Sequence, residues 1–273
     1  MNTPKYKMLV LTDFSEASNA ALENAVSLSK IINARIDVFH VLKPSDITEY
    51  ENQFSAMRAI DEERVKKKAK MKILVREIFK KTGITINGNC ILGNLKDETS
   101  ERIKTLNPDI VVLGKRTPKL INFLGDGFTK FILDTFNGSV LISGKEKIMN
   151  PSEAMSIGLF NTSMDELSAE LAKDLHKYSK NPIKHFYVRS EAETSTHKAT
   201  ENGISYEFEN GSNTMNTIAT YVAKNNIGIL CINSHTKKNQ GRFQGLKSNI
   251  KLVIEKINTP ILIVNNKSTI QLQ

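Results

Sequence analysis

A repeat constrains this chain more than any other feature. The apolar run Met8-Leu-Val-Leu-Thr-Asp-Phe14, which closes in polar turn residues, returns 147 positions later as Met155-Ser-Ile-Gly-Leu-Phe-Asn161. A helical pattern follows each copy. In the first, Ser15 or Ser18 can cap a segment whose Ala21, Leu22, Ala25, Val26, Leu28 and Ile32 fall on one face. In the second, Ser163 takes the cap and Leu167, Leu171, Ala172 and Leu175 form the stripe. Strand-like runs at Ala34–Val41 and Ile183–Val188 keep the same offset. Later pairs do not: Ile110–Gly114 matches Ile229–Asn233 at 119, and Val140–Ser143 matches Ile261–Val264 at 121. The second copy is therefore shorter by roughly 28 residues between its second and third strands. There the first copy carries a long charged helix around Asn52 to Lys81, and the second only the polar stretch Ser190 to Asn202.

Each copy alternates strands with helices, which implies βαβ crossovers and a mostly parallel sheet covered on both faces. The strands are continuous apolar runs, as doubly covered strands require. The expected fold is α/β, with two tandem domains of five strands each, at 1–146 and 153–273, the second trimmed. A short polar joint, Gly144 to Glu153 with Pro151 inside it, keeps the two close. Unpaired apolar edge strands invite aggregation. The two copies are thus expected to pack as an internal pseudo-twofold pair through Val140–Ile142 and Ile261–Val264, with homodimers as a further form. At 273 residues each half can close a core without disulfides. Cys90 and Cys231 sit singly in apolar runs and read as buried thiols. No run approaches the ~20 apolar residues of a membrane span. Met8–Leu11 is too short for a signal core, so a cytoplasmic location is expected.

The net charge of +9 raises the question of nucleic acid. Much of the excess lies in Arg64-Val-Lys66-Lys67-Lys68-Ala-Lys70-Met-Lys72, after Asp61-Glu62-Glu63, the pattern of a solvated helix with acids toward its N-terminus. No aromatic residues interleave to stack bases, and no recognition motif accompanies the run. Nucleic acid is not the expected partner.

Ligands of open parallel sheets sit beyond the carboxyl ends of the strands, where the strand order reverses. Two loops of the first domain qualify: Thr12-Asp13-Phe14-Ser15, and Gly114-Lys115-Arg116-Thr117 with Gly125-Asp126-Gly127-Phe128-Thr129 opening a helix. Glycines and a helix N-terminus suit a phosphate, and Asp13 suits an adenine amino group or a ribose hydroxyl. The same residues also fit ordinary turns, with Asp13 capping the helix.

The opening Met8–Ser18, the Ala-rich helix after it, the His40-Val41 strand end, Gly93, and Asn107-Pro-Asp-Ile-Val-Val-Leu-Gly114 together resemble the universal stress protein family. The resemblance covers nearly all of the first domain and the skeleton of the second. It implies a Rossmann-like (adenine nucleotide α-hydrolase-like) sheet of five strands that pairs through its last strands. It also implies ATP or AMP as ligand, with Mg²⁺ as an accompanying ion, held by a G-x2-G-x9-G-[S/T] motif after strand four, and signalling through an unknown protein partner.

Gly114 and Gly127 match the first and third motif glycines; Thr117 replaces the second, and Phe128 stands where Ser/Thr is expected, with Thr129 beside it. A Cβ at Thr117 costs about 1 kcal/mol if that turn requires positive φ, and Lys115 and Arg116 offset it with charge. Thr12 and Asp13 match the adenine side, and Val41 the strand end near the base. In the second copy Asn161 stands for the acid, Asn233 and Thr236 for the first two glycines, and Lys247-Ser248 for Gly-Ser. That copy is expected to serve as a structural partner.

Catalysis finds no carrier. The five histidines are scattered without a matched nucleophile. No Walker sequence, pyrophosphatase loop or paired receiver acids is present, and Asp13 stands alone. The expectation is a binding and signalling module and not an enzyme. The competing readings are an interaction scaffold with vestigial sites and a slow nucleotide hydrolase.

Overall fold

A computed structural model describes residues 3–44, 53–115, 127–144, 147–150, 156–164, 167, 169–179, 181–189, 203–233 and 243–265. The first half runs β1 (Tyr6–Leu11), α1 (Glu16–Ile32), β2 (Ala34–Leu42), α2 (Gln53–Thr82), β3 (Ile86–Leu92), α3 (Leu95–Leu106), β4 (Ile110–Gly114), α4 (Phe128–Thr135) and β5 (Ser139–Ser143). The second runs β6 (Ser156–Phe160), α5 (Ala169–Tyr178), β7 (Ile183–Val188), β8 (Gly203–Phe208), α6 (Thr214–Lys224), β9 (Ile227–Asn233), α7 (Phe243–Lys256) and β10 (Ile261–Val264). The ten strands form one sheet in the order β3-β2-β1-β4-β5-β10-β9-β6-β7-β8. Every neighbouring pair is parallel except β5 and β10, which run antiparallel with Ile142, Leu141 and Val140 opposite Ile261, Leu262 and Ile263. The order within one half is the reverse of the order within the other, so the two last strands meet at a pseudo-twofold axis.

Local chemistry accounts for the helices that shape the first half. Ser15 caps α1 by accepting from the Ser18 N–H, Glu16 lies in the first turn and Lys30 in the last, and Asn33 closes the helix at φ 55°. Asn94 and Asn107 do the same for α3. The helices pack in two layers. One face of the sheet is covered by α1, α2 and α5 around Met8, Leu22, Leu28, Ile157 and Leu175; the other by α3, α4, α6 and α7 around Leu9, Ile132, Phe186, Ile218 and Val253. Both cores run through the two halves without a break. Each fully buried Leu or Ile contributes about 1.5–3 kcal/mol, so the shared sheet joins the halves energetically as well as in sequence.

In the second half α5 begins at Ala169, several residues past Ser163, while Leu167, Leu171, Ala172 and Leu175 are buried as their spacing predicts. The polar stretch 190–202 lies outside the described residues. Cys90 and Cys231 are buried and unbridged; complete burial pushes the Cys231 thiol up to about 12, which keeps it unreactive.

Candidate functional site

The strand order reverses between β1 and β4, and there the β1–α1 loop meets the end of β4. Val10 lies opposite Val112, so the β1–α1 loop and the end of β4 share one rim of the sheet. Within the loop the Thr12 Oγ1 accepts from the Phe14 N–H at 3.0 Å and donates to the Ser18 hydroxyl at 3.0 Å. An Asp13 oxygen accepts from the Ser15 N–H at 3.0 Å, while the residue itself is exposed at the rim. These bonds hold Phe14 at φ 62°, a left-handed conformation that a bulky side chain adopts at a cost of about 1–3 kcal/mol. The Phe14 ring lies 4.6 Å from His40, whose Nδ1 bonds the Thr12 carbonyl at 2.8 Å, and the Lys70 ammonium stands 5.0 Å above it. Val41, the last residue but one of β2, is buried beside this loop.

Gly114 and Lys115 have structural tasks of their own. A Cβ on Gly114 would stand 2.6 Å from the Ala17 backbone, so this glycine lets the first turn of α1 lie against β4. Lys115 reaches across the pseudo-twofold: its Nζ donates to the carbonyls of Glu255 at 2.9 Å and Ile257 at 3.2 Å, at the C-terminal end of α7. A cation there complements the negative helix end. Gly127 caps α4 in the left-handed region, at φ 72°, with open space where a Cβ would sit. Phe128 and Thr129 follow in that first turn, half-buried. Arg116 and Thr117 lie outside the described residues, as do Thr236 and the side chains of Lys247 and Ser248.

The second switch point, between β6 and β9, is built differently. The Asn161 N–H donates to the Phe186 carbonyl as the Thr12 N–H does to Phe39. Asn161 is therefore the counterpart of Thr12, and Thr162 takes the place of Asp13, a correction to the sequence alignment. The pairing of β6 with β7 runs in regular register up to this point, with Phe160 opposite Phe186. The Asn161 Oδ1 accepts from the Val188 N–H at 2.9 Å, the strand end equivalent to Val41, and Tyr187 lies within 3.2 Å of His185. Burial holds the His185 ring below its ordinary pKa, against a raising bond from Thr162. The loop's own side chain occupies the backbone donor of this rim.

Several residues that anchor the site gave little sign in the sequence. Asn24 on α1 is fully buried; its amide donates to the Ser143 hydroxyl at 2.6 Å and the Lys147 carbonyl at 3.0 Å, and accepts from the Met149 N–H at 2.7 Å. It ties α1 to the joint between the halves, and its one signal was a polar residue on an apolar face. Asn265 donates to the carbonyls of Phe136 and Gly138, capping α4 from the other half. Among the described residues no cluster of His, Cys, Asp and Glu is arranged to hold a metal, and no helix is long and apolar enough to cross a membrane.

Comparison with known proteins bears on the family and the fold. The model of the universal stress protein family matches residues 6–143. A universal stress protein from Archaeoglobus fulgidus DSM 4304 is similar over 96% of this chain and 97% of its own, with a TM-score of 0.70 and 17% identity. A functionally unknown protein from Pseudomonas aeruginosa PAO1 is similar over 95% and 92%, with a TM-score of 0.58 and 12% identity. At these identities the likeness is one of fold, and in both it extends through the two halves. No curated protein matches the chain in sequence.

Proposed function

The chain belongs to the universal stress protein family, and from that premise we propose that it binds one adenine nucleotide, ATP or AMP, at the β1–β4 rim of its first half. The observation that carries the reading is the pairing of the strained Thr12–Ser15 loop with the glycine-capped start of α4. The loop presents a carboxylate at the strand end, and a glycine in the left-handed region opens α4. Asp13 serves the adenosine end and the Gly127–Thr129 turn the phosphates, each charge-assisted bond contributing about 1.5–3 kcal/mol. Mg²⁺, where it accompanies ATP, rides on the phosphates. In this reading occupancy acts through contacts with a protein partner rather than through turnover.

The interaction-scaffold reading gains from one observation: Gly114, the first motif glycine, and Lys115 beside it are engaged in packing α1 and capping α7. Denaturing the purified protein and measuring adenine absorbance and mass in the supernatant separates the two readings. Asp13→Asn sharpens the test, because Asn still accepts from the Ser15 N–H and only the charge is lost. The expected result is released adenine nucleotide from the parent and at least a tenfold weaker affinity in the variant. Protein that neither carries nucleotide nor takes it up at millimolar concentration is a scaffold.

A further inference from the structure

The two outer edges of the sheet are built differently. β8 carries Glu207, ion-paired with Arg189 of the segment after β7, a charge of the kind that discourages further strand pairing. β3 has the sequence Ile86-Asn-Gly-Asn-Cys-Ile-Leu92, with no charge and no proline, and pairs only with β2 among the described residues. The Gly93 N–H donates to the Leu42 carbonyl. Parallel strands alternate their bonding direction residue by residue, so the N–H groups of Gly88, Cys90 and Leu92 point away from β2.

Beside this edge runs a groove of about 640 Å³ between β3 and α2. Its walls join Val75 and Phe79 to Lys68, Lys72 and Arg76, all on α2. The same helix face continues through Val65, Met57 and Phe54, which are 64%, 65% and 82% exposed. α2 holds ten Lys and Arg against four Asp and Glu. Its apolar stripe is thus flanked by an excess of positive charge, alongside a row of outward strand donors.

We propose that the β3 edge and α2 receive an extended acidic segment of a partner protein, which adds to the sheet as a strand and lays apolar side chains into the groove. Main-chain bonds to the edge supply affinity, and alternate side chains supply specificity. Carboxylates on the segment meet Lys68, Lys72 and Arg76. Charge argues against a second copy of this chain, since the pairing of two β3 edges would bring two basic helices together. It also argues for a polypeptide over a nucleic acid, which makes no use of an uncharged strand edge.

The test uses a labelled peptide of seven residues alternating Val or Ile with Asp or Glu, titrated by fluorescence anisotropy into the full chain. Binding is expected to weaken at least tenfold when salt rises from 50 to 500 mM, as screening predicts, and at least tenfold in Lys72→Glu/Arg76→Glu. N-methylation of alternate amides should abolish binding in one register and spare it in the other, and hydrogen exchange should slow at Gly88 and Cys90. Three results would overturn the proposal: no binding of the acidic peptide, equal loss in both N-methyl registers, or an oligonucleotide that competes at the same residues. Dimers in sedimentation that the double variant dissolves would assign the face to a second copy instead. Neither arm uses Asp13 or Gly127, so failure here leaves the nucleotide reading untouched.

Discussion

Gly114 shows how one missing side chain serves the fold at a candidate ligand rim. Its absent Cβ would fall on α1 backbone and not on a flexible tip, so Gly114→Ala should cost about 1–3 kcal/mol of stability. The check is thermal denaturation of nucleotide-free protein; an unshifted Tm would mean that the glycine serves ligand approach alone. Asp174 makes a second residue-scale case. It accepts from the Lys5 ammonium at 2.6 Å and the Tyr6 hydroxyl at 2.9 Å, joining the start of β1 to α5 of the other half. Partial burial works to raise its pKa, but the bonds from Lys5 and Tyr6 hold the carboxyl below its ordinary value. Its contribution is therefore present above the unfolded carboxylate pKa and lost as pH falls through the lowered folded one. Tyr6 has the opposite sign: burial, then its bond to Asp174, pushes it up to about 12, so its contribution is lost as pH rises toward that value. Asp174→Asn should lower Tm at neutral pH and flatten its fall in acid; identical pH profiles for parent and variant would remove the latch from the account.

At the scale of elements, the last helix of each half is capped from the other half: α7 by Lys115 and α4 by Asn265. Lys115→Met should destabilise the nucleotide-free protein by about 1 kcal/mol, by removing a charged donor from a helix end. Denaturant unfolding measures this. A lysine poised only for phosphate would leave the empty protein as stable, or more so, once neutralised. The elements themselves were legible in the sequence, because apolar runs and helical stripes report burial directly. Ser15 at the start of α1 and the α4 start near Phe128 follow from local pattern, and the β5–β10 pairing follows from the repeat and the need to cover two apolar edges. The caps were not legible, since Lys115 and Glu255 lie 140 positions apart and neither pattern points to the other. The correspondence at the second rim was hidden for a different reason: strand pairing, which the sequence alone does not display, sets Asn161 against the end of β7 as Thr12 is set against the end of β2.

For the whole molecule, one continuous sheet with two cores carries two rims of unequal character. The first holds a strained, acid-bearing loop, and the second is closed by its own asparagine onto the Val188 N–H. The proposed function therefore calls for one nucleotide per chain, not the two that a symmetric repeat would suggest. Gly127 sets the test, because at φ 72° with nothing near its absent Cβ, a β-branched replacement acts through the backbone and displaces the first turn of α4. Calorimetric titration of the full chain with ATP and with AMP measures stoichiometry and affinity together. The predicted result is about one nucleotide per chain in the parent and no detectable binding in Gly127→Val. Two nucleotides per chain, or a Gly127→Val protein that binds like the parent, would contradict it.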